Sequence, residues 1–124
     1  MSIPLKPTDA ELEILRTLWE LKVPVTVKEV FARYGHGRDL GYTAVLKLMQ
    51  TMHDKGLLQR DASERAHRYW PTHPKDGTQS RLLGDFVDRV FGGSARDLVQ
   101  MALQGRTLSI EERQSLQDLL KEKP

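Results

Sequence analysis

Apolar residues recur at intervals of three and four along most of this chain and at intervals of two in one short stretch, which predicts helices around a small ribbon. From Asp9 to Leu21, Ala10, Leu12, Ile14, Leu15, Leu18, Trp19 and Leu21 supply a helical apolar face. Thr8 with Glu11 three residues on is a capping box that starts this helix: the hydroxyl accepts from one free backbone N–H and the carboxylate from another. Pro24 stops it, and Val23-Pro-Val25 reads as a short extended piece. Thr26 and Glu29 repeat the box, and Val27, Val30, Phe31 and Tyr34 carry a second, shorter helix until Gly35. Residues 35–41 form the turn into a third helix, which begins at Tyr42 and buries the stripe Val45, Leu48, Met49 and Met52.

After Lys55-Gly56 the period changes to two, and residues 57–60 and 66–70 read as strands joined by the polar turn 61–65, with Pro71 closing the second. Three helices followed by a two-stranded ribbon is the order of a winged helix-turn-helix. The expected fold is therefore mainly α, with a winged-helix DNA-binding domain over 1–74 and a helical dimerisation domain over 75–124. A linker, 72–77, leads into three further helical patterns. The first ends at Gly92-Gly93, Ser94 caps the second, and Ser109 with Glu112 opens the third. Roughly fifty residues in short helices bury too little apolar surface to stand alone. The stripes Leu82, Leu83, Phe86, Val90, Leu98, Val99, Leu116, Leu119 and Leu120 are thus expected to interleave with a second copy in a homodimer.

Composition narrows the function. The 124 residues contain no cysteine, which excludes disulfides, thiolate metal sites and thiol redox sensing. No apolar run approaches membrane-spanning length, and Met1-Ser-Ile-Pro-Leu-Lys6 lacks the apolar core of a signal peptide, so the expected location is the cytoplasm and no membrane contact is expected. Net charge is only +2, but from Lys22 to Arg68 nine cations face five anions, whereas eight of each follow from Lys75 onward. The excess surrounds the third helix, whose outer face carries Thr43, Leu46, Lys47 and Gln50 with no carboxylate before Asp54. Such a face suits a helix entering a major groove, where acids would meet phosphate repulsion.

Lys47 can donate to guanine O6/N7 or to a phosphate, and Thr43 and Gln50, one turn to either side, to a base edge or a phosphate. Leu46 can meet a thymine methyl or cover the seam with the second helix. Tyr42 can bond a phosphate through its hydroxyl or pack beneath it. Ser63 and Arg65 in the turn between the strands are placed for backbone phosphates, Arg65 also for a minor groove. Thr26 offers a helix N-terminus to one phosphate, although its main work is capping. His36, His53, His67 and His73 are scattered without metal-ligand spacing, and no phosphate loop, nucleophile elbow or carboxylate pair is present. Neither a metal, a cofactor nor an enzymatic activity is expected.

Asp9-Ala-Glu-Leu-Glu-Ile-Leu-Arg-Thr-Leu-Trp19, the helix Tyr42-Thr-Ala-Val-Leu-Lys-Leu-Met-Gln-Thr-Met52 with Lys55-Gly-Leu57, and the strand ending Arg68-Tyr69 together resemble the penicillinase-repressor family, which includes the methicillin-resistance and copper-responsive repressors. The resemblance runs over nearly the whole chain. It implies a winged-helix transcriptional repressor, dimerised through its C-terminal helices, that binds double-stranded DNA at an inverted-repeat operator and reads the major groove with Thr43, Leu46 and Lys47. For several members it also implies a regulatory protease as partner, because a membrane-bound sensor of β-lactams triggers cleavage in the dimerisation domain. Ala44, Lys47 and Thr51 depart from the residues common in the family's recognition helix, so the operator sequence does not carry over. The Asn-Phe pair cleaved in penicillinase repressors falls at Met101-Ala102, so cleavage at that bond does not carry over either. The cysteine pairs of the copper-responsive branch are missing. The alternative from another class is a winged-helix module that binds a protein partner instead of specific DNA.

Overall fold

The first two predicted capping boxes form, and they set where the first two helices begin. In the computed structural model, which describes residues 6–35, 39–105 and 108–122, the helix α1 spans Asp9–Leu21. The Thr8 N–H donates to Glu11 Oε1 at 2.9 Å and the Glu11 N–H to Thr8 Oγ1 at 3.2 Å. His36 and the centre of the turn 35–41 lie outside the described residues. Thr26 and Glu29 make the same reciprocal pair at the start of α2, Val27–Tyr34. Gly35 follows it with ordinary right-handed backbone. Its lack of a side chain matters for another reason: a Cβ there would stand 2.8 Å from the Phe31 ring. The third helix, α3, covers Tyr42–Asp54 and ends in a Schellman motif, with Gly56 N–H on His53 O at 3.0 Å and Leu57 N–H on Met52 O at 2.9 Å. Gly56 holds φ +86°, the left-handed backbone that this stop requires and that glycine adopts at least cost.

Strands β2 (Leu58–Asp61) and β3 (Arg68–Pro71) pair antiparallel, and β1 (Val25–Thr26) adds to the other side of β3, giving the order β1-β3-β2. The expected two-stranded ribbon is thus a three-stranded sheet. Thr26 opposes Arg68 in that sheet while capping α2, so one residue fixes the helix against the ribbon. The wing strands lie one to two residues later than alternation predicts. Leu57 is still tied to α3 through its N–H, and Pro71 sits opposite Leu58 at the end of the ladder, where a missing donor costs little.

The chain divides into two compact units, 1–79 and 80–124. The first has a continuous core of Ile14, Leu15 and Leu18 from α1, Val27, Val30 and Tyr34 from α2, and Val45, Met49 and Met52 from α3. Val25, Leu57, Leu58 and Tyr69 close it from the sheet side. One carboxylate enters this interior. Glu11 is 2% exposed, and Lys55 Nζ meets its Oε2 at 2.8 Å across 44 residues of sequence. Burial pushes the Glu11 carboxyl up, but the Lys55 ammonium and the Thr8 donors outweigh it and hold the group below the usual carboxylate range.

Helix α4 runs over Lys75–Phe91, so half of the expected linker 72–77 is already helical; Thr78 N–H bonds Pro74 O at 3.1 Å, and a proline suits that first turn. In the second unit Ser94 caps α5 (Ala95–Gln104), and Ser109 with Glu112 boxes the start of α6 (Ile110–Glu122). Val87 is the buried apolar side chain of this unit among the described residues, whereas Leu83, Phe86, Val90, Val99, Leu119 and Leu120 are exposed, and Leu82, Leu98 and Leu116 are half-buried. No described helix is long and apolar enough to cross a membrane.

Candidate nucleic-acid interface

Helix α3 presents two faces because its period places Val45, Met49 and Met52 against α1 and α2 and turns Thr43, Lys47 and Gln50 outward. The first three are wholly buried and the second three exposed. Leu46 lies between: it is half-buried and packs against the core. Tyr42, at the N-terminus, stays 45% exposed and sets its ring edge-on to Phe31, with centroids 6.1 Å apart, so it braces α3 against α2.

A groove of about 540 Å³ runs between α3, the start of α2 and the wing. It brings together Thr26, Tyr42, Leu46, Gln50 and Arg65 of the residues expected from sequence, and adds Lys28, His67 and Tyr69. No aspartate or glutamate is among its lining residues. Thr43 and Lys47 stand on the exposed face of α3 and do not line the groove, and Ser63 sits in the wing turn. The Ser63 backbone N–H donates to Asp61 Oδ1 at 2.9 Å, which shapes that turn and, with the Ser63 side chain, draws the Asp61 carboxyl below its ordinary range.

Glu29, which touches the groove residue Thr26, is engaged three ways. It accepts from the Thr26 N–H at 2.8 Å and from the Thr26 hydroxyl at 3.2 Å, and it meets Arg68 Nη1 at 3.5 Å. The Thr26 backbone donor, then the hydroxyl and the Arg68 charge, lower its pKa despite some desolvation. The Thr26 hydroxyl is consequently taken up by capping. Lys28, one residue into α2, is the cation that sequence reasoning passed over. Its position just inside a capping box, where a side chain leaves the helix N-terminus, was the available signal.

An outward polar helix face beside an acid-free groove and a wing can lie along a polyanion. The comparisons with known proteins agree with the architecture. Residues 7–122 match the family described as penicillinase repressor. The transcriptional regulator BlaI of Mycobacterium tuberculosis is 31% identical over 112 residues, covering 77% of this chain and 80% of that one. The penicillinase repressor of Staphylococcus aureus is 21% identical over 111 residues, covering 90% and 87%. In fold, the chain is similar to the Bacillus licheniformis BlaI monomeric form, solved in solution in complex with the blaP half-operator. The TM-score is 0.51 and the identity 20%, over 61% of this chain and 92% of that one. By the match along nearly its whole length, by its relatives and by its fold, this chain belongs to the penicillinase repressor family, winged-helix regulators of transcription and not enzymes.

Proposed function

We propose that this protein represses transcription by occupying operator DNA as a homodimer on an inverted repeat, with the DNA-binding part in 1–74 and dimerisation in 75–124. The observation that carries the reading is the pairing of an exposed, carboxylate-poor α3 face with a groove whose lining holds Lys28, Arg65 and His67 and no acid. On this reading Arg65, Ser63 and the start of α2 meet phosphates and set the register, while Thr43, Lys47 and Gln50 meet base edges in the major groove. Leu46, tethered to the core, lends an apolar contact only at its outer edge.

Lys47→Ala is expected to weaken operator binding by about 1–3 kcal/mol while leaving a random duplex nearly unaffected, as a base contact requires. Titrations of both duplexes at two salt concentrations check it. Equal losses on both, with the salt slope reduced by about one, would reassign Lys47 to a phosphate. Unchanged binding would remove it from the interface.

The dimer rests on the second unit. Leu83, Phe86 and Val90 follow one another at spacings of three and four on α4 and are exposed, and Phe86 packs on Phe91 with centroids 5.9 Å apart. A second copy is the natural cover for such a stripe. Phe86→Asp should sediment as a monomer at micromolar concentration, and a persistent dimer would count against this assignment.

A further inference from the structure

A second cavity, of about 530 Å³, opens beside the C-terminal end of α1 where the chain leaves β3, and it shares no lining residue with the α3 groove. Its size falls within the roughly 300–1,000 Å³ of ordinary small-molecule sites. Trp19 and Trp70, the only two tryptophans of the sequence, line it together with Pro24 and Pro71. Lys22 and Lys75 contribute the cations, and no aspartate or glutamate is present in its wall. Lys22 has φ 64° and ψ 6°, left-handed backbone that glycine or asparagine would adopt more cheaply. That position therefore carries an ammonium group at a conformational cost, at the edge of a mostly apolar hollow.

We propose that this cavity is a binding site for small aromatic carboxylates. The ring would lie against indole and proline surface, and the carboxylate would meet the ammonium groups of Lys22 and Lys75. A neutral analogue would keep the apolar contacts and lose the charged ones, and a cationic analogue would be repelled. Thr72, His73 and Pro74, the segment leading into α4, also belong to the wall. An occupant would thus touch the chain's passage out of the wing without covering the α3 groove. The site needs no DNA to be tested, so it stands or falls apart from the repressor reading.

Because both tryptophans line the cavity, the intrinsic fluorescence of the full-length protein reports on it directly. The probes are phenylacetate, 2-phenylethanol and phenethylamine, which share a ring and differ in charge. Phenylacetate should produce a saturable change, with affinity roughly tenfold or more above that of either analogue. Lys22→Gln/Lys75→Gln, with both side chains at exposed positions, should melt as the parent does and bind phenylacetate no better than phenylethanol. No saturable change with phenylacetate up to about 10 mM would overturn the proposal, as would equal affinity for all three probes or undiminished phenylacetate binding in the double variant.

Discussion

Lys55→Met is expected to destabilise the winged-helix unit by about 3 kcal/mol at neutral pH, because it strands the buried Glu11 carboxylate without its cation. The melting temperature should fall by on the order of 15 °C. Glu11→Gln/Lys55→Met should recover most of the loss, since the amide oxygen still accepts from the Thr8 N–H and no charge remains in the core. The pH dependence gives an independent check. In the parent the Glu11 pKa is depressed on folding, so its contribution is complete above the ordinary carboxylate range and disappears as pH falls through the folded value. In Lys55→Met burial is opposed by the Thr8 donors alone, so that carboxyl moves upward from its position in the parent. The gap between parent and variant should therefore narrow as pH is lowered, and denaturant melts at pH 7 and pH 4 would show it. A variant melting within about 2 °C of the parent would mean that the ion pair is not what holds the carboxylate.

Met49→Ala and Gln50→Ala, adjacent on α3, should fail in opposite ways. Met49 is wholly buried among α1, α2 and α3, and truncating it leaves a cavity worth about 3 kcal/mol. Gln50 is exposed at the groove, so Gln50→Ala should change stability by less than about 0.5 kcal/mol. Its loss should appear instead in operator affinity, by about 1–3 kcal/mol if the amide meets a base edge. Thermal melts and duplex titrations on the two variants separate the roles. A destabilised Gln50→Ala, or a fully stable Met49→Ala, would mean that the helix is turned differently from the arrangement described.

Local signals explain which parts of this fold were legible in the sequence. The starts of α1, α2, α5 and α6 follow from Thr8, Thr26, Ser94 and Ser109, each of which caps with the residue three positions on. The two faces of α3 follow from its period alone. What escaped depends on distant partners. Two-residue β1 has too few residues for alternation to register, and it exists because Val25 and Thr26 find Tyr69 and Arg68. Glu11 reads from sequence as half of a capping box, and its ion pair with Lys55 appears only when α1 and the end of α3 meet. Lys28 stands just inside a capping box, but it joins the groove only because the fold brings α3 and the wing beside the start of α2. Helix α4 starts earlier than its apolar stripe because its first residues after Pro74, among them Lys75, Asp76, Thr78 and Gln79, are polar.

The most direct test of the repressor account is a fluorescence-anisotropy titration of the full-length protein against DNA from upstream of its own gene and against a random duplex, at two salt concentrations. The account predicts a preference of ~10³ or more for the upstream DNA, saturating at two chains per site. Equal affinity for both duplexes, or binding to neither, would contradict it and turn the α3 face and its groove toward a protein partner.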